Sequence, residues 1–387
     1  MNFHPIWLDC DPGHDDATAI LLAIHSPSVH LLGISTVHGN TDAENTALNA
    51  ARCLYAFAAP ETVKVFPGAP KPLLRPVKHD PEIHGVDGLG GVEGFPNPDQ
   101  AEVRARLTGA DGQVKAVVAM ARAIQQTWRD GAGAKVSIVA TGPLTNIALF
   151  VSIYPDLLDA VEQVVFMGGG VGVGNRSAVA EFNILCDPEA AQIVLNTPIP
   201  KTMIPLNVTH QAIVTSDIHN RLLSPGILPN INGVTKASSN LRHTLSTLIS
   251  FFKESYKSTF GFNEGPPLHD ALTVAYISRP DLFVCKRYRT DVELHGLHAA
   301  GETVVDVWGY RTCDDSWGAT GMNCRVAEDL NVQYRCFTWT KMLISCMQVT
   351  GFFQLLLECI SRCDKVSPLN HTQSNAPTML DSKGGIY

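Results

Sequence analysis

The sequence predicts an α/β fold, a mainly parallel central sheet, doubly wound, with helices on both faces. Three observations carry this. Short apolar, β-branched runs alternate with longer runs of helix formers from the first residues onward. No internal repeat and no linker interrupts that alternation before about residue 325. Several runs end in Gly, Asp, Asn or Thr where a helix follows, the corner at which α/β sheets place ligands.

The elements follow in order. Ile6 to Cys10 reads as a strand that ends in acids. Ala17 to His25 reads as a helix that stops before Ser26-Pro27, and Val29 to Val37 as a second strand. Thr41 to Ala59 is Ala-rich and predicts a helix capped by Thr41. Val63 to Phe66 is a short strand closed by Pro67-Gly68. Residues 67 to 110 read as one long loop, with Gly85, Gly88, Gly90, Gly91 and Gly94 close together. The alternation resumes with a helix at Gln113–Trp128, a strand at Val136–Ala140, a helix at Leu144–Val151 and a strand at Val161–Met167 before Gly168-Gly169-Gly170. A helix at Pro188–Leu195, a strand at Lys201–Pro205, helices at Leu241–Phe260 and Asp270–Ile277, and strands at Tyr288–Leu294 and Thr303–Trp308 complete the body.

With 387 residues, 45% hydrophobic and 17% charged, the chain can bury a large core, and disorder over most of its length is excluded. The net charge of −8 argues against a nucleic-acid scaffold, which would show a basic stripe. Ten cysteines lie without any CxxC pair, and the N-terminus lacks a basic segment followed by a long apolar one. A reducing, cytoplasmic location is therefore expected, with no membrane association. No repeat or linker divides residues 1–332, which are expected to form a single domain. Residues 333–350 look inserted: an apolar stretch with Cys336, Cys346 and Trp339 and no polar face, interrupted by Lys341 and Gln348, which argue against a membrane span. A gene-model artefact such as retained intronic sequence explains it; finding those residues in a transcript or peptide map would refute that. A final helix is expected at 351–366 and a disordered tail at 367–387.

The sharpest chemical signal is Asp9-Cys10-Asp11-Pro12-Gly13-His14-Asp15-Asp16. Four carboxylates at one strand-to-helix corner, with no Lys or Arg beside them in sequence, repel one another unless a cation compensates. Their oxygens are hard ligands, which points to Ca²⁺ or Mg²⁺ rather than zinc. Helix capping by solvated acids is the plain alternative. A phosphotransferase of the haloacid-dehalogenase kind is another, since it too carries Asp-x-Asp after its first strand.

This segment closely resembles the signature of the nucleoside hydrolases, the inosine-uridine preferring nucleoside N-ribohydrolases. Six further segments match in order: His38-Gly39-Asn40, Ile83-His84-Gly85, Ala140-Thr141-Gly142-Pro143-Leu144-Thr145-Asn146, Phe166-Met167-Gly168-Gly169, Ala180-Glu181-Phe182-Asn183 and Pro267-Leu268-His269-Asp270. The resemblance spans roughly residues 5–330 and implies hydrolysis of a ribonucleoside to base and ribose. It implies Ca²⁺ held by Asp11, Asp16, Asp270 and the Thr141 carbonyl, with Asp11 as base toward the calcium-bound water and His269 assisting departure of the base. It places His84 as a second catalytic histidine. Asp15 and Asn40 would face the 2′ and 3′ hydroxyls, Asn183 the 3′-hydroxyl, and Glu181 and Asn175 the 5′-hydroxyl, with Met167 beside the sugar.

Taken without the resemblance, several of these residues have ordinary readings. Asp270 and Thr141 can be helix-start residues, Asn40 a turn residue, Glu181, Asn183 and His84 solvated loop residues, His269 structural and Met167 core. Tyr256 and Phe260 are candidates for stacking on the base. The long loop at 78–95 is expected to close over bound nucleoside. A broad or pyrimidine-leaning specificity (uridine, cytidine, inosine) and a homodimer or homotetramer are implied. A catalytically inactive ribose-binding relative is the remaining alternative.

Overall fold

The computed structural model describes residues 3–108, 114–226, 235–330 and 350–371. The first strand, β1 (His4–Cys10), is buried from Ile6 onward on both faces. It pairs in parallel with β2 (Val29–Thr36) on one side and with β4 (Val136–Ala140) on the other, while β3 (Val65–Pro67) extends the β2 side. β5 (Val161–Met167) and β6 (Lys201–Ile204) continue beyond β4. With β10 (Cys324–Leu330) and β7 (Phe283–Tyr288) beyond β6, the order is β3-β2-β1-β4-β5-β6-β10-β7, so the direction of winding reverses between β1 and β4. Ligands in open α/β sheets bind at such a reversal, outside the carboxyl ends of the strands.

α1 (His14–His25) starts earlier than the sequence predicts, because Gly13 caps it and Asp16 Oδ2 accepts the Gly13 N–H at 2.9 Å. α2 (Ala43–Ala56) is capped by Asp42 rather than by Thr41: one Asp42 oxygen reaches two free helix N–H groups, of Glu44 and Asn45. The expected loop contains two single turns, α3 (Pro81–His84) and α4 (Ala101–Arg104). α5 (Ala116–Trp128), α6 (Thr145–Ile153), α7 (Phe182–Cys186) and α8 (Pro188–Leu195) follow, then α9 (Leu206–Thr209), α10 (Ser216–Leu223), α11 (Asn240–Phe260) and α12 (Ala271–Ser278).

The late strands differ from expectation. β7 (Phe283–Tyr288) precedes the short hairpin of β8 (Thr290–Val292) and β9 (Thr303–Val305), and β10 (Cys324–Leu330) inserts between β6 and β7, antiparallel to β7. Lys286, Arg287 and Glu328 hide the edge strand β7 and its neighbour β10 from a hydrophobicity reading; Lys286 and Glu328 face solvent and Arg287 is half-buried.

Two apolar clusters fill the two faces. One packs α1, α2, α11, α12 and the last helix, α13 (Thr350–Asp364), against the sheet, and the other packs α5, α6 and α8. The chain stays structured beyond α13. Ser367, expected to open a disordered tail, donates to the Ala56 carbonyl at 2.7 Å, and Leu369 is buried. The insertion expected at 333–350 lies outside the described residues except for Thr350, which begins α13, and so does the tail from residue 372. Among the described residues no helix is long and apolar enough to cross a membrane.

Candidate active site

The segments that carry the resemblance meet at the carboxyl ends of β1, β2, β4 and β5. Asp11 follows β1, Asn40 follows β2, Thr141 follows β4 and Met167 ends β5. Asp15 and Asp16 enter from the first turn of α1, and His269 and Asp270 immediately precede α12. The cleft between them is lined among others by Asp15, Asn40, Asp80, His84, Thr141, Met167, Asn175, Glu181, Asn183, Tyr256, His269 and Asp270.

Asp9 belongs to the frame. Its Oδ1 accepts from Asn146 Nδ2 at 2.8 Å and from the Ser35 hydroxyl. In Asp11, Oδ2 accepts the Asn40 N–H at 2.8 Å, and Oδ1, like Asp9 Oδ2, is buried with no hydrogen-bond partner. A Cβ at Gly39 or Gly142 would lie within 2.5 Å of one of its oxygens, so both glycines are needed for the carboxylate to sit there. Asp16 accepts from Thr141 Oγ1 at 2.7 Å and from Asn40 Nδ2 at 3.2 Å. Oxygens of Asp15, Asp16 and Asp270 lie within 4.8 Å of one another. Asp15, expected on the ribose side, thus joins this trio, while Asp11 stands outside it.

Burial, and then mutual repulsion, pushes these acids up. Asp11 and Asp270 rise well above the ordinary 3.8, and Asp15 rises to about 8. Asp16 is also raised by burial, against hydrogen bonds from Gly13 and Thr141. No lysine or arginine is among the described residues lining the cleft. The acids must therefore carry protons or share a cation. All the donors are oxygens and Asp11 Oδ1 has none of its hydrogen-bonding capacity used, so the residues fit a hard divalent ion. The Thr141 carbonyl accepts from Asn183 Nδ2 at 2.7 Å.

The expected ribose cradle is brought together, with its members also bonded to one another. Asn40 Nδ2 donates to the Asp11 carbonyl at 3.0 Å. Glu181 caps α7 through the N–H groups of Asn183 and Ile184, also accepts the Gly169 N–H, and burial raises it to about 7. Asn175 Oδ1 accepts the Phe182 N–H at 2.9 Å. Met167 Sδ lies 3.5 Å from Asn183 Nδ2.

Both histidines are buried, His269 at 3% exposure and His84 at 6%, so neither is a solvated loop residue. His269 Nε2 meets the Tyr256 hydroxyl at 2.7 Å and Nδ1 meets Thr209 Oγ1 at 2.7 Å. Burial, then the nearby His210, drives His269 well below 6.5. Burial thus favours the uncharged ring. His84 is likewise lowered by burial, and its Nδ1 lies 3.3 Å from both the His14 N–H and His14 Nδ1.

Sequence reasoning missed Thr209 and His14, and read Tyr256 only as a stacking candidate. Tyr256 repeats at helical spacing with Phe252 and Phe260, which looks like core. Only the hydroxyl on a buried ring signals a polar task.

A sequence profile described as inosine-uridine preferring nucleoside hydrolase matches residues 6–335. A probable ribonucleoside hydrolase of Dictyostelium discoideum is 38% identical over 331 residues, 85% of this chain and 91% of its own length. A pyrimidine-specific ribonucleoside hydrolase of Shewanella woodyi is 39% identical over 306 residues, 79% of this chain and 89% of its own. Among solved structures, a purine-preferring ribonucleoside hydrolase from Gardnerella vaginalis superposes with a TM-score of 0.74 at 26% identity, covering 94% of this chain and 100% of that one.

Proposed function

The chain belongs to the inosine-uridine preferring nucleoside hydrolase family and is a ribonucleoside hydrolase, and on that premise we propose that it works with calcium, with Asp11 as the base and with a pyrimidine-leaning preference. Membership in this family removes the ground for the phosphotransferase alternative. One observation carries the proposal: Asp11 has a buried, unused oxygen beside three other acids that no protein cation neutralises among the described residues of the cleft.

In this reading Asp11, Asp16, Asp270 and the Thr141 carbonyl hold the ion, and Asn183 Nδ2 turns from that carbonyl toward the sugar. A bound calcium supplies acidification of the attacking water. The chain's own groups do the rest. Asp11, held by the Asn40 N–H, accepts the water's proton through Oδ1. Asp15, Asn40 and Asn183 hold the 2′ and 3′ hydroxyls, Glu181 and Asn175 the 5′-hydroxyl, and Met167 packs against the ring. Negative charge around the ribose favours the positive charge that develops as the C–N bond breaks. Tyr256 donates its hydroxyl hydrogen bond toward the departing base, and His269 Nε2–H, 2.7 Å away, donates to the Tyr256 oxygen, with His84 lining the same cleft. Since His269 is uncharged, it acts by hydrogen bonding through a neutral ring, supported by Thr209.

The pyrimidine lean is supported by the 39% identity to the pyrimidine-specific relative. The test is a panel of uridine, cytidine, inosine and adenosine, assayed for ribose release with and without a chelator. Uridine and cytidine are expected to be cleaved fastest, with activity abolished by the chelator and restored by Ca²⁺. Chelator-insensitive cleavage overturns the metal assignment, and faster release from adenosine overturns the lean.

A further inference from the structure

At the mouth of the cleft lies a charged pair that the chemistry above does not use. Asp80, which lines the cleft, comes from the loop before α3, and Arg176 comes from the loop between β5 and α7, next to Asn175. Arg176 Nε donates to Asp80 Oδ2 at 3.0 Å and Nη2 donates to Oδ1, a two-pronged contact. The guanidinium also rests over the Phe260 ring, 5.4 Å from its centre. The two side chains are only 19% and 10% exposed, whereas Glu82, 3.9 Å from Arg176 Nη1, is 75% exposed.

A planar guanidinium offers paired donors that suit a carboxylate or a phosphate equally. Here Asp80 occupies both prongs. The acids on this side of the cleft are Asp80 and Glu181, with the exposed Glu82 beyond them. A nucleoside carries a neutral 5′-hydroxyl and meets no penalty there. A 5′-phosphate would bring up to two negative charges against partly buried carboxylates, with its natural partner already taken.

We propose that the Asp80–Arg176 pair is a specificity device that rejects 5′-phosphorylated ribosides and restricts the enzyme to nucleosides. The proposal rests on the reading that Asn175 and Glu181 receive the 5′-hydroxyl. Refusal comes from occupying a cation, not from lacking one. Removing the Asp80 charge should therefore expose a ready phosphate site.

The experiment compares uridine with uridine 5′-monophosphate in the calcium-loaded full chain, following release of free uracil. Binding of ribose 5-phosphate is followed separately by thermal shift. Wild type is expected to cleave uridine, to leave the nucleotide essentially uncut, and to show no shift. Asp80→Asn should raise the nucleotide-to-nucleoside ratio of kcat/KM at least tenfold and make ribose 5-phosphate a detectable ligand. Adding Arg176→Gln to it should remove both gains, which a general loss of negative charge would not do. Asp80→Ser provides a second, smaller uncharged variant in case the amide of Asp80→Asn packs badly. Folded Asp80 variants with an unchanged ratio and no shift would overturn the proposal, as would a wild type that cleaves the nucleotide as readily as the nucleoside. A wild type inert toward every nucleoside would overturn the reading of the reaction instead, and the ribose 5-phosphate shift would still decide the pair.

Discussion

Asp11 concentrates the residue-scale argument, because one of its oxygens is fixed by a backbone N–H and the other is free. Asp11→Asn keeps the size and the Asn40 contact while removing basicity. It is expected to lower kcat by roughly a thousandfold or more, with an unchanged circular dichroism spectrum. Near-normal turnover would remove Asp11 from its role. Tyr256→Phe deletes only the hydroxyl that meets His269, and a fall in kcat of about a hundredfold with little change in KM is expected. A change in KM alone would make Tyr256 a binding residue. The residue types and their order along the chain were legible in the sequence. Asp15 joining Asp16 and Asp270, and the uncharged state of His269, were not, since both come from burial that no local pattern encodes.

Among the elements, the loop at 78–95 and α13 make contrasting contributions. The loop turns at Gly85, Gly88 and Gly91 in the left-handed region, and His14 Nε2 holds it through the Gly90 carbonyl at 2.9 Å. Closure over substrate is expected to slow hydrogen–deuterium exchange at residues 85–91 when a ribose-mimicking inhibitor binds. Identical exchange with and without inhibitor would leave the loop no part in closure. α13 is fastened by apolar packing: Phe352 and Phe353 are buried in the cluster that contains α1 and α12. Phe353→Ala is expected to cost about 3–5 kcal/mol in denaturant unfolding, and a loss below about 1 kcal/mol would show the helix to be dispensable. The strongly apolar strands β1, β4 and β5 could be read from composition. The edge strand β7 and its neighbour β10 could not, because the exposed Lys286, Glu328 and Asp329 and the half-buried Arg287 and Arg325 mask the pattern.

For the whole molecule, the acid cluster ties stability to both metal and pH. Asp11, Asp15 and Asp270 have raised folded values, so above the unfolded value near 3.8 the stripped folded state binds more protons than the unfolded one. Its stability is therefore lost as pH rises toward and through about 8, the value for Asp15. His14, lowered by burial to about 4, acts oppositely but only below about 6.5. Lys201, lowered by burial to about 7, also opposes the trend, but equally in the loaded and stripped forms. The difference in Tm between calcium-loaded and chelated protein should thus widen from about pH 6.5 to about 8; a constant difference would place the ion away from these acids. The sequence by itself determined the winding of the sheet, the family and the set of residues at the strand ends, because apolar periodicity and a run of acids at one corner are local properties of the chain. Only the tertiary structure decided which acids come together, which histidines stay neutral and which cation is already taken. Those outcomes depend on desolvation and on contacts between distant segments, 96 residues apart for Asp80 and Arg176 and 125 for Asp16 and Thr141.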